Sequence, residues 1–171
     1  MIKKSSLLYC FLITFISSVI SSVTFADEPK SAGKYKNWEA FIYTDDKGKV
    51  CFAQTIPKER SPKALKREAS RLFVTFRKAE KIKNEISVTS GHIYRPSSVT
   101  AKSGKHKFEL FSQENFAWIL DGEEEFNLIK TMKKASKLAI TATAKNGNQT
   151  RDLYSMMGFT KAYNTAKKSC A

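Results

Sequence analysis

Short segments in which hydrophobic and polar residues alternate run through most of the chain after residue 34. A period of two, together with aromatic and β-branched residues, is typical of half-buried β-strands. The turn sequences Asp45-Asp46-Lys47-Gly48 and Asn146-Gly147 each separate two such segments and predict β-hairpins. A compact apolar run over 116–120 is predicted to be buried. The predicted strands cover residues 35–44, 49–56, 71–77, 85–90, 97–101, 107–111, 137–144 and 151–156.

Two segments follow the helical period instead. Phe126, Ile129 and Met132 lie on one face of a segment that Asp121 can cap at its amino end. The last segment of the chain carries its apolar residues at helical spacing as well: Phe159, Ala162, Tyr163, Ala166 and Cys170. These patterns predict an α+β domain, mainly antiparallel β, built as a sandwich or distorted barrel with two packed helices.

The first 26 residues have a different pattern. Lys3 and Lys4 precede 14 uncharged, largely apolar residues over 7–20, and Thr24 and Ala26 then place small side chains at the −3 and −1 positions. This is the layout of a secretory signal peptide, and the apolar stretch is shorter than the roughly 20 residues of a membrane-spanning helix. We predict cleavage between Ala26 and Asp27, a loose leader over 27–34 and one domain over 35–171. No transmembrane segment is expected after cleavage.

Two cysteines, Cys51 and Cys170, follow the predicted cleavage site. In an exported protein, two cysteines indicate one disulfide bond, and the alternatives are two buried thiols or a metal-binding pair. A metal pair is disfavoured because His92 and His106 have no ligand-like spacing to either cysteine. We therefore predict a Cys51–Cys170 disulfide, no metal site and no cofactor.

The chain carries an excess of basic residues, which is informative about its partners. It has 30 Lys and Arg against 16 Asp and Glu. Segment 58–83 alone holds ten basic and three acidic side chains. Such a segment is either a solvated face or a contact surface for an anionic envelope polymer, a lipid headgroup or an acidic protein. Nucleic acid is not the expected partner of an exported protein. The predicted contact residues are Lys63, Lys66, Arg67, Arg71 and Arg77.

Sequence signals for catalysis are weak. The chain has no Gly-x-Ser-x-Gly turn and no glycine-rich phosphate loop. Glu109 with Glu114 or Asp121 could supply the two carboxylates of a glycosidase, although spacing alone gives this little support. We predict a protein that is not an enzyme. The alternative is a periplasmic hydrolase acting on wall or glycan substrates, with His92 and Glu109 as the residues to test.

Several short motifs, in their order along the chain, carry a resemblance to a known family. They are Trp38, KVCFAQTIP over 49–57, Arg71, SGHIY over 90–94, KTMKK over 130–134, TRDLYSMMGFTKA over 150–162, and Cys170. With them the chain resembles the invasion-associated locus B family of exported alphaproteobacterial proteins. It departs from the family in lacking a glycine at Ala135-Ser136.

The resemblance implies a β-rich exported domain. We predict that the protein is periplasmic, associated with the outer membrane, or secreted. Members of the family are linked in some pathogens to host-cell invasion, with no established enzymatic activity. Together with the basic segment, this predicts an exported cell-envelope protein that binds an anionic partner through a basic face, with a host-interaction role as one form of that function.

Overall fold

The computed structural model describes residues 28–171, which form eleven strands and two helices. The signal peptide predicted over residues 1–26 lies outside the described residues. The α+β class, mainly antiparallel β, is confirmed. The strands are β1 (Lys30–Tyr35), β2 (Trp38–Asp45), β3 (Gly48–Thr55), β4 (Glu59–Ser61), β5 (Arg71–Arg77), β6 (Ile82–Thr89), β7 (Val99–Ser103), β8 (His106–Gln113), β9 (Phe116–Trp118), β10 (Lys137–Thr143) and β11 (Gln149–Ser155); the helices are α1 (Gly122–Lys134) and α2 (Phe159–Ser169).

All described strands belong to one curved antiparallel sheet in the order β1-β2-β3-β5-β6-β9-β8-β7-β10-β11-β4. Both hairpins predicted from turn sequences are present, β2–β3 and β10–β11. The sheet does not close into a barrel by strand pairing. Two hydrogen bonds instead connect the β1–β2 end of the sheet to β11 and the segment after it, from Trp38 Nε1 to Ser155 O (2.9 Å) and from Asn37 N to Met157 O (3.2 Å).

The segment predicted to be a loose leader is largely a strand. Residues 30–35 form β1, which pairs with β2 from Lys30 opposite Ile42 to Tyr35 opposite Trp38. Most of the side chains of β1 are polar and at least partly exposed, so they show no hydrophobic alternation. Backbone pairing at the sheet edge holds this strand in place, and hydropathy does not report backbone pairing.

Helix α2 packs over β1, β2 and β3, where the Phe159 ring lies 4.8 Å from the Trp38 ring. Its N-cap, Gly158, has φ +96°. A Cβ atom at Gly158 would lie 1.8 Å from the backbone oxygen of Tyr35, so only glycine fits between the helix start and β1. The apolar face predicted for α2 is therefore the face that packs on the sheet.

Helix α1 has the predicted cap, since Asp121 Oδ1 accepts a hydrogen bond from Glu124 N at 2.8 Å. Its buried residues are Leu128, Ile129 and Met132. Phe126, predicted to lie on the packed face, is instead 51% exposed, and the Lys130 ammonium lies 4.3 Å from its ring centre. The buried face of α1 is thus rotated by part of a turn from the predicted one.

The predicted disulfide is confirmed and joins Cys51 of β3 to Cys170 at the end of α2. Both cysteines are buried. A disulfide is compatible with an exported protein, because it persists in oxidising compartments. Neither helix within residues 28–171 is long and apolar enough to cross a membrane.

One carboxylate connects α1 to the sheet. Glu125 Oε1 accepts a hydrogen bond from the backbone N–H of Ile86 in β6 at 2.9 Å. The pKa of Glu125 is raised to about 7, mainly by burial; the Ile86 hydrogen bond acts in the opposite direction, and the nearby Glu85 carboxylate contributes to the increase. The folded protein therefore favours the protonated form of this side chain more strongly than the unfolded chain does.

Replacing Glu125 with glutamine should reduce the pH dependence of stability. Between the unfolded pKa near 4.5 and the folded pKa near 7, the folded state holds a proton that the unfolded state has lost. The free energy of unfolding of the native protein should therefore decrease as pH rises through this window. In urea unfolding at pH 8, E125Q should be more stable than the native protein by about 1 kcal/mol. This value is smaller than the full pKa shift would give, because the side chain is partly exposed. Parallel pH profiles for both proteins would contradict the assignment.

Candidate functional site

A buried ion pair lies between β11 and the long loop that follows β4. The Asp152 carboxylate of β11 is fully buried and the Arg67 side chain is 2% exposed. Arg67 Nη2 donates to Asp152 Oδ1 at 2.5 Å, and Nη1 donates to Oδ2 at 2.9 Å. Two-point pairing of this kind is the strongest geometry between a guanidinium group and a carboxylate. This ion pair fixes the loop to the strand.

Backbone carbonyl groups extend the network around the ion pair. Arg67 also donates to Ser90 O at 3.0 Å, and Arg60 Nη2 donates to Glu68 O at 2.5 Å. Arg60 Nε lies 3.8 Å from Asp152 Oδ1. The buried carboxylate thus faces two guanidinium groups that are also bonded to the surrounding backbone, which offsets the cost of burying the charges.

Gly91 lets this loop approach the end of β6. Gly91 has φ +72°, and a Cβ atom there would lie 2.1 Å from the backbone oxygen of Glu68. Glu68 N donates to Gly91 O at 3.0 Å. The loop, β6 and β11 are therefore held together by Gly91 and the Arg67–Asp152 ion pair, and two motifs 60 residues apart, at 90–94 and 150–162, meet here.

His92, named above as a residue to test for the hydrolase alternative, is part of this structural network. Its Nε2 lies 2.9 Å from Thr150 Oγ1 and its Nδ1 lies 3.2 Å from Ile93 O. Burial lowers the pKa of His92, and the Arg67 charge lowers it further. Thr150 is buried and also donates to Ala142 O. Both ring nitrogens are thus engaged with protein atoms, so the geometry favours a structural role.

The other residue named for the hydrolase alternative is on the surface. The Glu109 carboxylate of β8 is exposed and lies 3.2 Å from the Lys107 ammonium. Within residues 28–171, no group of three or more His, Cys, Asp or Glu side chains is placed to bind a metal ion.

A basic groove crosses the outer face of β8, β7, β10, β11 and β4. It consists of three adjoining cavities of about 530, 600 and 640 Å³, and Arg151 lines all three. We call it the Arg151 groove; its exposed basic residues are Lys58, Lys63, Lys102, Lys107, Lys137 and Arg151. Small side chains such as Ala139 and Thr141 form its floor.

The charge in the Arg151 groove is largely uncompensated. Lys107 pairs with Glu109, but among residues 28–171 the other five basic side chains have no carboxylate within 4.0 Å. Glu59 is the acidic residue that lines the groove. Asp152 lies on the buried face of β11, where its carboxylate binds Arg67 of the loop after β4, whereas Arg151 lies on the exposed face. The groove can therefore attract a ligand with several negative charges.

The structure separates the five residues predicted to form one basic patch. Lys63 is exposed and lines the Arg151 groove, and Lys66 is exposed outside it. Arg67 is not available to an external anion, because it is buried against Asp152. Arg71 and Arg77 occupy opposite ends of β5, about 20 Å apart at strand spacing. Arg77 is also paired with Glu85 at 3.1 Å.

The contact residues predicted from the sequence did not include Lys102, Lys137 or Arg151 of the groove. They belong to three strands that are far apart in sequence but adjacent in the sheet, with Lys102 opposite Ala139 and Arg151 opposite Thr141. The available signal was strand alternation, because each lies at a polar position of an alternating segment. Alternation predicts on which face of its strand each side chain lies. It does not predict the order of the strands, which places the three side chains next to each other in the sheet.

No family model, curated protein or solved structure matches this chain. The resemblance to the invasion-associated locus B family therefore stays a prediction.

Proposed function

We propose that this protein is an exported, non-enzymatic component of the cell envelope that binds an anionic polymer through the Arg151 groove. The observation that carries the proposal is that six exposed basic side chains line three adjoining cavities, while Glu59 is the one acidic residue among the described residues that line them. Uncompensated like charges on a concave surface raise the local concentration of an anionic ligand and speed its association.

The length of the groove favours a polymer over a single small anion. From Lys107 on β8 to the Lys58 side of β4 it crosses five neighbouring strands, which is about 19 Å at strand spacing. A ligand that satisfies Lys102, Lys137 and Arg151 together therefore carries negative groups at several points. Repeating phosphate, sulfate or carboxylate groups on an envelope polymer have this character.

Two features support export as the setting for this binding. The Cys51–Cys170 disulfide suits an oxidising compartment, and the pattern of residues 1–26 predicts a signal peptide. If the family resemblance holds, the polymer could also belong to a host cell surface. The hydrolase alternative has no comparable observation in its favour.

The proposal predicts that the K102Q/K137Q/R151Q variant binds polyanions more weakly. Removal of three neighbouring positive charges should weaken binding to dextran sulfate about tenfold or more at low salt, which is about 1.4 kcal/mol. Neutral dextran should bind neither protein. Biolayer interferometry at two salt concentrations would measure this, and the salt dependence should be shallower for the variant because fewer charges take part.

A matched variant separates the groove from net charge. K78Q/K83Q/K167Q removes the same number of positive charges outside the Arg151 groove. It should bind dextran sulfate within about twofold of the native protein. Equal losses for both variants would show that binding depends only on the total charge of the protein, and would contradict the proposal.

A further inference from the structure

A second basic cavity lies beside the end of α2, away from the Arg151 groove. Its volume is about 440 Å³, within the range of small-molecule sites. Lys78 and Lys81 reach it from the turn between β5 and β6, Lys83 reaches it from β6, and Lys167 reaches it from α2. None of its lining residues lines the groove.

The fold brings like charges together at this cavity. No Asp or Glu is among the described residues that line it. The ammonium group of Lys133 in α1 lies 4.0 Å from the centre of the Tyr163 ring, and burial together with the nearby Lys167 charge lowers the pKa of Lys133. Tyr163 in turn donates to Asn84 Oδ1, which lines the cavity. Among the described residues, the positive charge that lines the cavity thus comes from the β5–β6 turn, β6 and α2, and no carboxylate lines it.

The floor of the same cavity is apolar. Phe76 and Ile82 form it, next to the buried Cys170. The Phe76 ring packs edge-on against Tyr163 with the ring centres 5.4 Å apart, so this floor is part of the packed core and is not a mobile surface group. A polar anion alone would leave this surface unused, whereas an alkyl chain would cover it.

We propose that this cavity binds an anionic amphiphile, with a phosphate or carboxylate headgroup among Lys78, Lys81, Lys83 and Lys167 and an alkyl chain against Phe76 and Ile82. The position is fixed on one side by the Cys51–Cys170 disulfide, which holds the end of α2 on β3. A site held on a rigid frame loses less conformational freedom when a ligand binds.

Three probes distinguish the headgroup from the chain. Dodecyl phosphate below its micelle concentration, dodecyl maltoside and inorganic phosphate would be compared by isothermal titration calorimetry on the full protein. Dodecyl phosphate should bind at least about tenfold more tightly than either of the others, because it alone offers both parts. Equal binding of dodecyl maltoside would overturn the role of the lysines, and equal binding of inorganic phosphate would overturn the role of the apolar floor.

Variants place the probe in the cavity. K78Q/K83Q/K167Q should lose about tenfold or more in affinity for dodecyl phosphate, whereas K102Q/K137Q/R151Q should stay within about twofold of the native protein. K78Q/K83Q/K167Q should thus weaken binding of dodecyl phosphate only, and K102Q/K137Q/R151Q should weaken binding of dextran sulfate only. Either proposal can therefore fail while the other stands. Unchanged affinity in K78Q/K83Q/K167Q would overturn the site.

Nuclear magnetic resonance of the native protein tests the site without a variant, and so does not depend on whether K78Q/K83Q/K167Q folds. Dodecyl phosphate should shift the methyl signals of Ile82 and leave those of Ile140, buried elsewhere in the core, in place. Shifts confined to other regions would contradict the proposal. Flotation with phosphatidylglycerol vesicles then distinguishes the source of the ligand: co-flotation indicates a membrane lipid, and its absence despite dodecyl phosphate binding indicates a free amphiphile.

Discussion

Replacing Arg67 with methionine is expected to lower the free energy of unfolding by about 3–5 kcal/mol. The substitution keeps most of the side-chain volume but leaves the fully buried Asp152 carboxylate without its two-point partner. Arg60 approaches the same carboxylate only to 3.8 Å and cannot replace that geometry. Urea unfolding followed by tryptophan fluorescence would measure the change.

Two further variants make this test specific. R71M changes the same residue type at a half-buried position on β5, and it should cost less than about 1 kcal/mol. R67M/D152L removes both charges and should recover more than half of the loss, because a buried ion pair replaced by apolar groups is often close to neutral. A loss below about 1 kcal/mol for R67M alone would show that the ion pair is not buried in solution.

Removing the disulfide should have the second large effect. The C51A/C170A variant should be less stable by up to about 4–5 kcal/mol, because the bond closes a loop with a sequence separation of 119 residues and so restricts the unfolded chain. Substitution of two buried cysteines by alanine adds a small packing loss. Thermal unfolding monitored by circular dichroism would report the difference as a lower midpoint.

Reduction provides the matched control for this prediction. Dithiothreitol should lower the unfolding midpoint of the native protein to near that of C51A/C170A and leave the variant unchanged. The dithiothreitol concentration should be one that reduces the disulfide in the unfolded protein. If the unfolding midpoint of the native protein does not change under these conditions, the bond contributes little to stability.

Local signals in the sequence predicted most of the elements. The turn at Asp45–Gly48 is set by a local interaction, since Asp45 Oδ1 accepts hydrogen bonds from Lys47 N and Gly48 N at 2.9 and 3.0 Å. The start of α1 is set by Asp121 in the same way. Alternation then gave the strands on either side of each turn. Interactions between residues a few positions apart can be read without the fold.

Features that depend on distant partners were not predictable in this way. Arg67 lies in a basic segment, and only its contact with Asp152, 85 residues later, shows that it is buried. Strand β1 lacked a hydrophobic pattern because its pairing with β2 uses the backbone. The density of charge along residues 58–83 likewise did not give one surface patch, because the fold sends that segment to several parts of the molecule.

Binding of an anionic polymer at the Arg151 groove is tested most directly by nuclear magnetic resonance. Backbone amide shifts would be mapped while ¹⁵N-labelled protein is titrated with a short dextran sulfate. The largest shifts should fall in β7, β10, β11 and residues 58–63, which include β4. Shifts centred on the β5–β6 turn, or no saturable shifts at low salt, would contradict this assignment.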